Sequence, residues 1–163
     1  MVQKYLYLMR HGEAEPQACV MDFGRALTSR GKKQVSAQVA QFKKNTGIRP
    51  DVVFSSTAKR TRETAEGLQK LFLGVPFFYR ETLYLAPTRR LMDLIKSVDE
   101  IFQRILIIGH NPGLEQLVSL LDEKGSQIPM GTADCVEMSL NIKTWDEIKP
   151  GVGKVEKIFL GRI

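Results

Sequence analysis

Lys4-Tyr5-Leu6-Tyr7-Leu8-Met9-Arg10-His11 and Arg104-Ile105-Leu106-Ile107-Ile108-Gly109-His110 decide how this chain folds. Each is a run of strand-forming residues ending on a histidine, and these are the only two histidines in 163 residues. In an open α/β sheet, ligands bind beyond the carboxyl ends of the strands. Two imidazoles delivered there from distant parts of the chain are expected to share one site. Arg10 adjoins the first histidine, and a third candidate strand, Asp51-Val52-Val53-Phe54-Ser55, leads into Arg60. Two histidines and two arginines suit a phosphoryl group better than a metal cation, which the guanidinium groups would repel.

Working outward, strands and helices alternate along the chain. The expectation is a three-layer α/β/α sandwich around a mostly parallel central sheet. Tyr5 to Met9 is strand one. Thr28 caps a helix reaching about Lys44, closed by Asn45-Thr46-Gly47 with Pro50 beyond. Val52 to Ser55 is the next strand. Ala58 to Phe72 reads as a helix, with Thr61, Ala65, Leu68 and Phe72 at helical spacing. Phe77 to Tyr79 is a short strand, Leu91 to about Ile101 a helix, Ile105 to Ile108 a central strand, and Pro112 to Leu121 a helix. Cys135 to Asn141 and Val155 to Leu160 have no clear helix between them. They read as a hairpin, which places one antiparallel strand at a sheet edge.

Residues 1–163 read as one domain, a length at which roughly 70% of the unfolded surface is buried. The formal charge of +6 is compatible with phosphate-bearing partners, although a solvated basic surface is the simpler explanation. No helix-turn-helix, zinc-finger or aromatic RNA-binding motif supports a nucleic-acid partner. Cys19 and Cys135 form no CxxC pair, and Cys19 reads as a bystander. The N-terminal residues show no signal-peptide pattern, and no apolar run approaches membrane-spanning length. A reduced, cytoplasmic setting without membrane association is the expectation.

Phosphoryl transfer needs positioning and electrostatic stabilisation of negative oxygens. Arg10 and Arg60 offer forked donors matched to them. One histidine can attack phosphorus if its attacking nitrogen is unprotonated, and flanking arginines disfavour the imidazolium. The second, if protonated, can donate to the phosphoryl oxygens. The leaving atom also calls for a proton donor. Glu81, just after the short strand, is the first candidate, with Asp22 and Glu13 as alternatives. Lys59 and Arg62 compete with Arg60, and Asp22 can simply pair with Arg25.

Three segments resemble the histidine phosphatase superfamily, the phosphoglycerate mutase-like fold. Leu8-Met9-Arg10-His11-Gly12-Glu13 is similar to its opening RHG signature. Ser55-Ser56-Thr57-Ala58-Lys59-Arg60-Thr61-Arg62-Glu63-Thr64-Ala65 is similar to its second motif, and Ile108-Gly109-His110-Asn111-Pro112 to its late histidine motif. The resemblance implies that His11 is the phosphorylated nucleophile, that Arg10, Arg60 and His110 surround the phosphoryl group, and that Glu81 gives the proton. It implies no metal and no cofactor.

Within the superfamily, the short chain and Asp22-Phe23-Gly24-Arg25-Ala26-Leu27-Thr28-Ser29-Arg30-Gly31 resemble the SixA-type phosphohistidine phosphatase branch, with Asp22 and Arg25 contributing to substrate binding. Two departures stand out. Glu15-Pro16 replaces the asparagine common in mutases, and Thr57 replaces a usual proline. The implied substrate is a phosphohistidine-containing protein in signalling or phosphotransfer, or else a small phosphomonoester. A two-histidine zinc hydrolase and a non-catalytic binding module are the readings of other classes.

Overall fold

The computed structural model describes residues 3–17, 20–45 and 48–163. Cys19 and the Thr46-Gly47 helix stop lie outside the described residues. Six strands form one sheet: β1 (Lys4–Arg10), β2 (Val52–Ser56), β3 (Phe77–Arg80), β4 (Arg104–Gly109), β5 (Cys135–Leu140) and β6 (Gly153–Phe159), in the order β3-β2-β4-β1-β5-β6. β1 pairs parallel with β4, β4 with β2, and β2 with β3, while β5 runs antiparallel to both β1 and β6. One strand therefore opposes the others, as the sequence predicts. It lies inside the sheet rather than at its edge, because β6 adds outside β5.

The two faces of β1 sort the core. Leu6 and Leu8 point into one cluster and Tyr7 and Met9 into the other, as the two-residue period of a strand requires. Helices α3 (Thr88–Lys96) and α4 (Gly113–Leu121) cover the first face through Leu91, Ile95, Leu114, Leu117, Val118 and Leu121, with Trp145 beside them. Helices α1 (Ser29–Lys44) and α2 (Lys59–Gln69) cover the second through Phe42, Ala65 and Leu68. Each such aliphatic side chain withdrawn from water contributes about 1.5–3 kcal/mol. The layers are those expected from alternation.

Helix ends differ from the apolar spacing. α1 begins as read, with Thr28 Oγ1 accepting from the Gly31 N–H at 2.9 Å. α2 stops at Gln69, yet Phe72 is still buried, carried under the sheet by a turn in which its N–H donates to the Leu68 carbonyl. α3 starts and stops earlier than expected, at Thr88 after Pro87 and at Lys96, which leaves Ile101 exposed. Among the described residues, no helix is long and apolar enough to cross a membrane.

Candidate active site

The carboxyl ends of β1, β2 and β4 meet on a cavity of about 300 Å³ lined by Arg10, His11, Glu13, Asp22, Arg60 and His110, with Ala14, Arg25, Leu85, Asn111 and Thr132 around them. His11 continues β1. Its N–H donates to the Gly109 carbonyl at 3.2 Å, and its own carbonyl accepts from the Ala133 N–H at 2.9 Å. The backbone is thus clamped on both sides. Beyond it, the Gly12 N–H donates to Thr64 Oγ1 at 3.1 Å. A Cβ at Gly12 would lie 2.9 Å from the Gly31 carbonyl oxygen, so only glycine lets this loop press on the start of α1.

The hydrogen bonds define the histidine tautomers. His11 Nδ1 lies 2.7 Å from the Gly12 carbonyl, an acceptor, so Nδ1 carries the proton and donates. Arg60 Nε, an obligate donor, approaches His11 Nε2 at 3.2 Å, so Nε2 presents its lone pair. In His110 the order is reversed. Arg60 Nη2 donates to Nδ1 at 3.3 Å, and Nε2–H donates to Ser56 Oγ at 2.8 Å. The two ring centroids are 5.4 Å apart. Burial, helped by the charges of Arg60 and Arg10, holds His11 down to about 4 and His110 to about 3. Both imidazoles are neutral at pH 7.

Arg60 is 1% exposed and lies in the first turn of α2, whose start is fixed by Ser56 Oγ accepting from the Ala58 N–H. Its Nη1 donates to the Asp22 carbonyl at 2.8 Å, and its Nη2 to the Asp22 carboxylate at 3.0 Å. Of the competing cations, Arg62 turns away over the Tyr79 ring, and Lys59 is exposed outside the cavity lining. Arg10 Nη1 donates to the Met130 carbonyl at 3.1 Å, while its Nε is buried without a partner.

The structure does not bring Glu81 to the cavity lining. Glu81 opens a 3-10 turn, Glu81–Leu83, in which Leu83 takes the inward position at 1% exposure and leaves Glu81 at the surface. The carboxylates at the cavity are Asp22 and Glu13. Burial pushes Asp22 up, but donors from Tyr84, Arg25 and Arg60 outweigh it and hold the group at about 2. Hydrogen bonds from Arg30 and Thr28 hold Glu13 below the usual carboxylate range. Asp22 does pair with Arg25, at 2.9 Å.

Two neighbours escaped the sequence reading. Ser56 holds His110, and its place as the last residue of a strand feeding the site was the available signal. The Tyr84 hydroxyl donates to the Asp22 carboxylate, and its ring stands edge-on to His110 with centroids 5.5 Å apart. No motif marks Tyr84.

Two imidazoles and two guanidinium groups line one cavity on an α/β sheet, an arrangement suited to an anionic phosphoryl group. The model of the histidine phosphatase superfamily (branch 1) matches residues 6–84, which include Arg10, His11 and Arg60. That match covers just under half of the chain, and over it the sequence resembles that superfamily. An uncharacterized chloroplastic protein of Arabidopsis thaliana is 29% identical over 171 residues, covering 95% of this chain and 77% of that protein. The fold is similar to that of SixA from Nakamurella multipartitia, designated a phosphohistidine phosphatase, with a TM-score of 0.82 at 22% identity over 96% of this chain and 95% of that one. It is also similar to a mycobacterial glucosyl-3-phosphoglycerate phosphatase, with a TM-score of 0.67 at 15% identity over 99% of this chain and 100% of that one.

Proposed function

We propose that this protein removes the phosphoryl group from phosphohistidine on a partner protein, through a phosphohistidine intermediate at its own His11. In the first step His11 Nε2 forms a bond to phosphorus, and the bond from phosphorus to the substrate imidazole nitrogen breaks. In the second, water attacks phosphorus, the bond to His11 Nε2 breaks, and inorganic phosphate leaves with the water's oxygen. Arg10 and Arg60 stabilise the phosphoryl oxygens in both steps, and His110 joins them as a donor once the phosphoryl charge displaces Arg60 from Nδ1 and draws a proton to that nitrogen. No step is assigned to a metal ion.

The observation that carries the reading is the His11 tautomer. With Nδ1–H spent on the Gly12 carbonyl, Nε2 carries the lone pair at neutral pH, held by Arg60 Nε until the phosphoryl group takes that donor. Two further observations favour a phosphohistidine over a phosphate ester. An alkoxide leaving group needs an acid, yet both cavity carboxylates are held low and Glu81 is outside. An imidazole, protonated on its other nitrogen, departs neutral and needs none. In addition, Leu85 lines the cavity and is exposed, and Val20, Met21 and Phe23 are exposed beside the cavity-lining Asp22, giving the site an apolar border suited to a protein surface.

A small phosphomonoester is the rival substrate, because the fold is shared with a phosphatase named for a glucosyl phosphoglycerate. Turnover of a phosphohistidine-bearing phosphotransfer domain is compared with that of small sugar phosphates. The proposal expects kcat/KM to favour the phosphoprotein by orders of magnitude. Efficient hydrolysis of the sugar phosphates alone contradicts it.

A further inference from the structure

We infer that the Asp22 carboxylate is a built-in competitor for the phosphoryl group, seated on Arg60 and displaced from it when substrate or phosphate binds. The inference rests on the reading of this cavity as a phosphoryl site and adds how that site controls its hold on anions.

Arg60 has five N–H donors, and four are committed: one to His11, one to His110, one to the Asp22 carbonyl and one to the Asp22 carboxylate. Two of the four thus go to a single residue on the loop before α1. That loop borders the cavity. Residues 22–24 form a single 3-10 turn, with exposed Met21 before it and exposed Phe23 within it. Asp22 is in turn held by Tyr84, whose hydroxyl donates to the same carboxylate oxygen that Arg60 bonds, and by Arg25 on the other oxygen. The Phe23 ring packs edge-on against Tyr84 at 5.1 Å.

A phosphoryl group in this cavity competes with Asp22 for the Arg60 donors, of which one N–H is uncommitted. It also brings negative charge against an ionised carboxylate. Either the carboxylate withdraws or the anion binds against its repulsion. In both cases Asp22 weakens the hold of the site on free phosphate. A buried arginine flanked by a second one would otherwise retain its product. The carboxylate therefore trades ground-state affinity for phosphate release. It is neither a substrate ligand nor a proton donor.

The experiment measures the dissociation constant of inorganic phosphate by calorimetry at neutral pH and constant ionic strength, for the wild type, Asp22→Asn, Asp22→Glu and the control Glu81→Gln. Thermal melts without phosphate verify folding of each. The expected result is about tenfold tighter phosphate binding in Asp22→Asn, no tightening in Asp22→Glu, and a change under twofold in Glu81→Gln, which removes a charge outside the cavity. Unchanged or weaker binding in a folded Asp22→Asn overturns the inference, since a carboxylate that merely props up Arg60 would give that result. Equal tightening in Glu81→Gln overturns it too, as a general charge effect. If the wild type binds phosphate but Asp22→Asn does not tighten it, this inference alone falls. If no protein in the set binds phosphate, the phosphoryl site itself falls with it.

Discussion

Arg60 Nε donates to His11 Nε2 across 3.2 Å, so the cation that would stabilise the phosphoryl group also reports which histidine nitrogen is unprotonated. The same guanidinium reaches His110 Nδ1 and Asp22. A lysine ammonium cannot span three partners in that planar fork. Arg60→Lys is therefore expected to lower kcat/KM by roughly 10²- to 10³-fold, measured on the phosphoprotein substrate with folding checked by circular dichroism. A folded variant within fivefold of wild type contradicts the role.

Stability should fall on acidification in a defined order. His11 and His110 are depressed in the folded protein to about 4 and about 3, below the ordinary histidine value of 6.5. Between those limits the unfolded chain binds more protons, so stability rises with pH. The contribution is complete above pH 6.5 and is lost as pH falls toward 4 and then 3. Asp22, held at about 2, extends the loss below its usual 3.8 in the same direction. Melting temperature measured from pH 7 to pH 4 should decline steadily, and His110→Gln should flatten part of that decline. A melting temperature that rises on acidification contradicts the buried, neutral histidines.

Gly31 lies in the first turn of α1, and a Cβ there would sit 2.1 Å from the Glu13 carbonyl oxygen, two residues after His11. Backbone cannot swing aside as a side chain can. Gly31→Ala should destabilise by about 1–3 kcal/mol in urea titration and should also lower turnover by shifting the Gly12-Glu13 backbone. Wild-type values for both would show that the contact is not needed.

The sandwich and most of the site were legible because the informative residues sit at strand ends, where an alternating or continuous apolar run stops on a polar side chain. His11, Arg10 and His110 are of this kind. Arg60 was legible through its motif, which picks it over Lys59 and Arg62, and the fold places those two outside the cavity lining. Glu81 was not legible, because a 3-10 turn decides which of its residues faces inward, and the burial of Leu83 makes that choice. Phe72 misled the helix boundary for a related reason. Apolar spacing records burial, and a turn can bury a side chain as well as a helix can. The position of β5 inside the sheet depends on where β6 attaches, which local sequence does not encode.

Turnover should be insensitive to metal removal, since Arg10 and Arg60 supply the positive charge. Activity is measured before and after exhaustive treatment with a chelator. Full retention is expected, and a loss restored by zinc would replace this chemistry with a metal-centred one.

The central claim is a transient bond between phosphorus and His11 Nε2. The protein is mixed with a phosphorus-labelled donor, quenched in base and digested, and the label is mapped. The account predicts a base-stable, acid-labile adduct on the peptide containing His11, absent from His11→Ala. Label on His110, or an acid-stable adduct on a hydroxyl side chain, would contradict it.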